Sequence, residues 1–157
     1  MMDAFTHDQN VYLLLERHGV ELVGPMAVTF AQPLQGTKSA YESHVRMLPA
    51  GTRVDSYLLH FNSSSRIGIA EGEIEFERPI VGVIARGTQL NYSDKILGLE
   101  GLAYERRDAS LRGLKSGTKE VPSPDVILFG TSYNTVGIHC EAGKHTVAEV
   151  RILVQSK

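Results

Sequence analysis

Apolar and polar side chains alternate with a period of two along much of the chain, most clearly in the segment 71–78. Its four glutamates are separated by single residues that include Ile74 and Phe76. Successive side chains of a strand point to opposite faces, so a strand places all the carboxylates on one face. A helix would scatter them around its axis, and the pattern therefore predicts a strand. The glutamates are Glu71, Glu73, Glu75 and Glu77.

Other segments carry weaker strand signals of the same kind. Ile80–Ala85 is an apolar run rich in β-branched residues, as expected for a strand covered on both faces. Two prolines interrupt Val121–Phe129, so this strand starts late or lies at a sheet edge. Val11–Leu15 fits a strand better than a short helix over Val11–His18. The remaining predicted strands are Leu22–Phe30, Val45–Leu48, Arg53–Asn62, Thr135–Cys140 and Val147–Gln155.

Turn residues separate these runs, and short strands at this spacing predict an all-β fold, an antiparallel β-sandwich of the jelly-roll type. The length matches one domain, so we expect a single sandwich over residues 1–157. Residues 87–119 alternate little and predict one long irregular loop region, which in a compact domain is often functional. Within it, Ser93 as N-cap and Gly98 as C′ residue would frame one helical turn.

Composition and charge exclude several classes of protein. Sixteen Lys and Arg against eighteen Asp and Glu give a net charge of −2, so we expect no nucleic-acid partner. No apolar run is long enough for a membrane-spanning helix. Met1–Asn10 has no basic residue, and Val11–Leu15 is too short for the apolar region of a signal peptide. The sequence alone therefore favours a cytoplasmic chain, or one from which targeting segments were removed.

A series of short blocks occurs in a defined order over about two thirds of the chain. The blocks are Leu48–Thr52, Val54–Phe61, Gly72–Phe76, Ile80–Ile84, Leu90, Ser93–Asp94, Leu97–Gly98, Tyr104, Arg112–Leu114, Asp125 and Val150–Ile152. In this order they resemble a domain of secreted bacterial proteins that carry a PEP-CTERM-type sorting signal or another cell-surface anchor. The resemblance implies a β-sandwich module with an extracellular or cell-surface location and no catalytic activity.

The region 87–119 also holds the candidate binding residues. Sugars stack on aromatic faces and bond to planar polar groups, and this region mixes both kinds of side chain. Calcium takes six to eight oxygen ligands, which loops of sandwich modules often supply. The alternative is that Ser93 and Asp94 only cap a turn. The predicted ligand-binding residues are Tyr92, Tyr104, Arg106, Arg107 and Arg112, and the predicted calcium ligands are Asn91, Asp94 and Asp108.

Signatures of catalysis are weak in this sequence. The phosphate-binding, nucleophile-elbow and zinc-helix motifs GxGxxG, GxxxxGK[ST], GxSxG and HExxH are absent. Cys140 ends an apolar run, so we interpret it as a buried thiol despite its neighbours His139 and His145. We expect His60 to be a half-buried histidine bonded to the backbone. The glutamate-rich strand is interpreted as a solvated face, not as the carboxylate pair of a glycosidase.

These observations favour a non-enzymatic extracellular binding or surface module whose partner is a glycan or another protein. A self-assembling subunit of a filament or surface layer is the alternative, in which exposed strand edges or complementary charged faces join copies into a homo-oligomer. A small glycan-acting hydrolase that uses Glu or His residues is the third hypothesis.

Overall fold

A computed structural model describes residues 2–5, 11–31, 46–61, 68–102, 104, 113, 126–129, 134–142 and 148–156. Strands dominate these residues, and every named strand pair is antiparallel, as the alternation predicts. The elements are β1 (Met2–Phe5), β2 (Val11–Glu21), β3 (Met26–Val28), β4 (Phe30–Ala31), β5 (Arg46–Leu48), β6 (Arg53–Phe61), β7 (Gly68–Glu75), β8 (Ile80–Ile84), α1 (Gly87–Leu97), β9 (Val126–Phe129), β10 (Thr135–Ala142) and β11 (Ala148–Gln155).

Two larger sheets and one small two-stranded sheet contain all the named strands. The main sheet has the order β2-β6-β11-β8-β4, the second sheet has the order β1-β7-β10-β9, and β3 pairs with β5. The last strand, β11, therefore lies in the middle of the main sheet, between β6 and β8. Residues Val150 to Val154 of β11 are all buried, which shows that both faces of this strand are covered.

The main sheet buries side chains on both faces. On one face, apolar residues of α1 and of the small β3–β5 sheet pack with Val54 and Leu153 in a single core cluster. Burying one such side chain stabilises the fold by about 1.5–3 kcal/mol, so this cluster holds α1 against the sheet. On the other face, the Tyr57 ring lies 4.9 Å from the Phe76 ring, between centroids, and joins β6 to the residue that follows β7.

The helix α1 corrects the prediction that residues 87–119 form one irregular loop. Its buried positions include Leu90, Ser93, Asp94 and Leu97, which follow the spacing i, i+3, i+4 and i+7 of one helix face. Two of these four side chains are polar, so the apolar stripe that would reveal an amphipathic helix is interrupted. Ser93 consequently lies inside the helix and is not its N-cap.

Thr29, in the bend between β3 and β4, binds backbone groups at the start of this helix. Arg86 is the N-cap residue, but its side chain makes no capping hydrogen bond. Instead the Thr29 hydroxyl oxygen accepts hydrogen bonds from the backbone N–H groups of Ala85 (2.9 Å) and Arg86 (3.3 Å). Thr29 is fully buried, so its hydroxyl oxygen provides an acceptor for two N–H groups at the helix start that would otherwise lack one. The helix ends at Gly98, which is its C-cap residue and not the predicted C′ residue, and the Gly98 N–H donates to the Asp94 carbonyl.

Most predicted strands are present, with changes at their ends. Val11–Leu15 is a strand and extends to Glu21 as β2, whereas the single strand predicted over Leu22–Phe30 is wrong. Residues 22–25 lie outside the strands, as suits Gly24 and Pro25 because proline lacks a backbone donor, and a bend at Thr29 separates β3 from β4. The strand with two prolines begins only at Val126, as the late start predicted.

Candidate functional site

Two β-bulges in β2 place its charged side chains. Each bulge inserts one extra residue into β2 opposite β6, at successive breaks in the pairing register. The register pairs that flank them are Leu15–Tyr57, Arg17–Ser56 and Val20–Val54. A bulge bends the strand and re-aims side chains, and bulges are frequent beside functional sites. The first bulge contains Glu16, which accepts hydrogen bonds from Arg151 of β11, and the second places His18 and Gly19 opposite Asp55.

The second bulge forms a compact set of hydrogen bonds. The Asp55 Oδ1 atom lies 2.8 Å from His18 Nδ1 and accepts a second bond of 2.8 Å from the Gly19 N–H. Gly19 has a φ of 68°, in the left-handed region that only glycine adopts at little cost. A Cβ there would also lie 3.4 Å from Arg53 Nη2. Glycine at this position therefore permits the conformation that brings His18 to Asp55.

His18 and Asp55 form part of the wall of an open cleft, with a volume of about 280 Å³. The cleft combines the aromatic pair of Tyr57 and Phe76 with charged side chains. Residues of β2, β6 and β11 and the turn after β7 contribute to it. The residues that line the cleft are His18, Asp55, Tyr57, Phe76, Glu77, Arg78 and Val154.

The two partners of the pair differ in exposure. The Asp55 side chain is 12% exposed, whereas that of His18 is 68% exposed. A carboxylate that accepts at Nδ1 favours the tautomer with the proton on that nitrogen, so the lone pair of the neutral ring is on Nε2. His18 can therefore accept a proton or a hydrogen bond from a molecule in the cleft, while Asp55 fixes the orientation of the ring.

The hydroxyl group of Tyr57 acts as a donor in the cleft. Burial raises the pKa of Tyr57 above its usual value, and the negative charges of Asp55 and Glu77 raise it further, against the opposing effect of Arg78. The phenol is therefore protonated at neutral pH. It offers an O–H donor next to the guanidinium of Arg78, and both groups suit a ligand oxygen.

A second polar cluster lies under α1, and its charged side chains are closed to solvent. We call it the Arg151 network. At its centre Arg151 is 0% exposed, on the face of β11 opposite to Val150 and Ile152. Burial lowers the pKa of Arg151, but hydrogen bonds and attraction from Glu16 and Asp94 outweigh burial and raise it. The guanidinium is therefore charged at every accessible pH. The other members are Glu16, Ser56, Ser93, Asp94 and Tyr104.

Hydrogen bonds satisfy all five N–H donors of Arg151. Nε and Nη2 donate to the two carboxylate oxygens of Glu16, at 2.7 and 2.8 Å. Nη2 also donates to Asp94 Oδ1 at 2.8 Å, and Nη1 donates to Ser93 Oγ and to the Leu90 carbonyl. A guanidinium in this state has no donor left for a ligand. The Arg151 network therefore joins β2, β11 and α1 and does not offer a binding site.

Two of the sequence-predicted site residues meet in this network. The Tyr104 hydroxyl donates to Glu16 Oε2 at 2.5 Å, and its ring lies 5.6 Å from Arg151 Cζ. Asp94, a predicted calcium ligand, contacts Arg151 from the other side. Calcium binding stays a prediction, in which Asp94 would share its carboxylate with Arg151.

The other predicted site residues lie elsewhere. Tyr92 is on the outer face of α1 and is 66% exposed, and Asn91 is half-buried beside it. Neither residue lines the cleft. Among the described residues, no three His, Cys, Asp or Glu side chains come close enough to hold a metal ion. Arg106, Arg107, Asp108 and Arg112 lie outside the described residues.

His60 corrects one expectation and provides a useful comparison. Its Nδ1 atom lies 2.9 Å from Glu149 Oε2, so the ring bonds to a carboxylate and not to the backbone. Sequence reasoning did not identify His18 as a site residue, nor the pairing of Asp55 with it. The one local signal is the dipeptide His18-Gly19 inside a strand, because an interior glycine often marks a bulge.

No family model, curated protein or solved structure matches this chain. Among the described residues, no helix has the length and apolar character needed to cross a membrane.

Proposed function

We propose that the protein is a binding module that holds a glycan in the cleft. The observation that carries this proposal is the partly exposed Tyr57 ring, which packs on the buried Phe76 ring and lies in one open cleft with several planar charged groups. A sugar ring has an apolar face that suits aromatic carbon and a rim of hydroxyl groups that both donate and accept hydrogen bonds. The cleft offers partners for both.

The charged side chains of the cleft have separate roles in this proposal. Asp55 already bonds to His18 and to the Gly19 N–H, so its role is to hold the His18 side of the cleft wall in place. Glu77 is exposed and Arg78 is half-buried, and both line the cleft. A carboxylate accepts from hydroxyl groups and a guanidinium donates to them in a planar, two-pronged geometry. We assign recognition of neighbouring sugar hydroxyls to these two side chains.

The dimensions of the cleft limit its ligand. Its volume of about 280 Å³ lies just below the range of roughly 300–1,000 Å³ that is usual for small-molecule sites. The cleft therefore suits one sugar unit, either free or at the end of a chain.

The proposed fold and location agree with this role. We propose that the main and second sheets pack as the two layers of a sandwich, which the contact between Tyr57 and Phe76 supports. The resemblance to secreted bacterial modules supports a location at the cell surface, where glycans are abundant ligands.

Self-assembly into a structural subunit is the candidate from another class. The edge strand β2 has eleven residues, which is long enough to template the addition of a further strand. Its two bulges oppose this role, because bulges twist an edge away from flat strand pairing. Light scattering at increasing protein concentration separates the candidates: growth of long polymers would favour the structural subunit over the binding module.

The direct test is a glycan array probed with the whole protein, followed by calorimetric titration of an oligosaccharide that binds. We expect Glu77→Gln to weaken binding roughly 10- to 100-fold, the effect of removing one charged hydrogen-bond partner. Glu75→Gln is the matched control, because Glu75 is exposed two residues away and does not line the cleft.

The array results also distinguish between sites. Binding that survives Glu77→Gln but is lost in Tyr92→Ala would move the site to the region that sequence reasoning favoured. The absence of binding to any glycan would overturn the proposal.

A further inference from the structure

The pair of His18 and Asp55 has the geometry of a general base and its positioning group. A general base needs a free lone pair facing the reactant, and a partner that holds the ring in the correct tautomer. His18 lines the cleft with most of its side chain exposed, while the nearly buried Asp55 accepts its Nδ1 proton at 2.8 Å. The Gly19 N–H in turn fixes the same carboxylate oxygen. The proposed binding function needs the cleft but does not need this arrangement.

We propose that His18 is a general base that activates water to hydrolyse acyl esters of a sugar bound in the cleft. Asp55 is a positioning residue in this reaction. The inference rests on the proposed glycan-binding function and adds an activity to the same site.

The reaction uses only water as its second reactant. His18 Nε2 takes one proton from a water molecule while the water oxygen bonds to the acyl carbon. The carbonyl electron pair moves to the oxygen and forms a tetrahedral oxyanion. As this intermediate collapses, the bond from the acyl carbon to the sugar oxygen breaks, and that oxygen receives the proton from Nε2. The products are a carboxylic acid and a free sugar hydroxyl, and His18 is neutral again.

Two donors of the cleft suit the oxyanion of the intermediate. The Tyr57 hydroxyl is protonated at neutral pH, and the Arg78 guanidinium lines the same cleft. Donors already positioned where negative charge develops stabilise such intermediates.

The chemistry of the pair of His18 and Asp55 also selects the substrate class. Cleaving a glycosidic bond needs an acid that protonates the leaving oxygen at the start, and a neutral imidazole cannot supply that proton. An ester needs only an activated water and an oxyanion site.

The protein contains a built-in control for this proposal. His60 also bonds through Nδ1 to a buried carboxylate, that of Glu149, at 2.9 Å. Its side chain is 30% exposed and does not line the cleft. His18 and His60 thus share the same chemical pairing and differ in access to the cleft.

The experiment measures acetate release from acetylated glucose and acetylated oligosaccharides by the whole protein. Unactivated esters are used because any exposed histidine attacks activated phenyl esters. We expect His18→Gln to lower kcat roughly 100- to 10,000-fold, the usual contribution of a general base, and His60→Gln to leave kcat unchanged. Asp55→Asn should lower kcat with little change in KM, because it alters the orientation of His18 and not substrate contacts.

Each outcome decides between the proposals. Release that depends on His18 and not on His60 supports the inference. Release that survives His18→Gln overturns it. If the wild type binds a glycan but releases no acetate, the catalytic inference is overturned and the binding function stands. If it neither binds a glycan nor releases acetate, both proposals are overturned. If Asp55→Asn does not fold, because Asp55 is buried and accepts the Gly19 N–H, the exposed His18→Gln variant still decides.

Discussion

The Arg151 network and the His18–Asp55 cleft both use the bulged strand β2, yet they differ in the hydrogen-bonding capacity that their polar groups have left for a ligand. Each cluster takes one residue from a bulge of β2 and joins it to an ionisable partner. In the network every guanidinium N–H has a protein acceptor. In the cleft His18 uses Nδ1 for Asp55 and keeps most of its ring in solvent. Groups whose hydrogen bonds are all made within the protein hold the structure together. Groups that keep unused hydrogen-bonding capacity can act on a ligand.

The energetic consequences differ in the same way. Taking charges out of water costs several kcal/mol for each ion, and only complete pairing compensates for it. Removing one partner of the network therefore leaves a buried charge without compensation. Removing His18 leaves Asp55 with the Gly19 N–H, and the lost ring lay mostly in water. Stability should depend on the network, and ligand function on the cleft.

The largest effect is expected from Arg151→Met. This change leaves the carboxylates of Glu16 and Asp94 buried without their cation, so the free energy of unfolding should fall by about 3–5 kcal/mol. Denaturant unfolding measures it. Arg151→Lys should recover only part of the loss, because an ammonium group cannot reproduce the five directed bonds. A loss under about 1 kcal/mol for Arg151→Met would contradict the role given to the network.

Tyr104→Phe should have the next largest effect. It removes the hydroxyl that donates to Glu16, and a hydrogen bond to a charged group contributes about 1.5–3 kcal/mol. The bond also predicts a dependence on pH. Burial and the hydrogen bond to Glu16 raise the pKa of Tyr104 to about 12 from its ordinary 10.0. The neutral phenol is thus favoured in the folded state, and its contribution is complete below pH 10.0 and is lost as the pH rises toward 12.

The alkaline loss is measured as the difference between the wild type and Tyr104→Phe in unfolding free energy at each pH. Over this range the wild type should lose more stability than the variant. Equal alkaline losses in both proteins would show that Tyr104 does not titrate in this way.

Gly19→Ala should have a smaller effect on stability and a larger one on the cleft. The positive φ of Gly19 disfavours a Cβ by about 1–2 kcal/mol, so the second bulge should shift or strain. Thermal unfolding reports the loss of stability, and titration with a bound oligosaccharide reports the cleft. Gly101→Ala is a matched control, since Gly101 has a φ of 85° and does not line the cleft. Equal effects of the two variants on ligand affinity would show that the second bulge does not shape the cleft.

The smallest effect on stability is expected from His18→Gln. The side chain is 68% exposed, and changes at such positions usually stay within about 0.5 kcal/mol. Denaturant midpoints of the wild type and the variant should therefore nearly coincide. A drop as large as that of Tyr104→Phe would place His18 among the residues that hold the fold, which would remove the contrast between the two regions.

The sequence predicts the parts of this fold that follow a regular period. The alternating segments around β6, β7 and β11 are strands, because burial on a sheet has a period of two. It fails at α1, where Ser93 and Asp94 occupy the buried face and hide the apolar stripe. Their burial makes sense only with Arg151, which is 58 and 57 residues away along the chain. No local pattern encodes a partner at that distance.

The candidate site was hidden for a related reason. Asp55 lies 36 positions along the chain from Gly19 and one more from His18, and a regular register would not place His18 and Gly19 opposite one residue. The bulge depends on a glycine with positive φ, which sequence alone does not distinguish from an ordinary strand glycine. Tyr104 and Asp94 were predicted as binding residues because of their polar side chains. In the structure these side chains bond to Glu16 and Arg151 within the Arg151 network.

The most direct test of this contrast is a nuclear magnetic resonance titration of an array-positive oligosaccharide, in which the imidazole signals of His18 and His60 are followed in one sample. The cleft account predicts that the His18 signals shift and saturate with the ligand while those of His60 stay in place. Saturable shifts at His60 with none at His18 would contradict it.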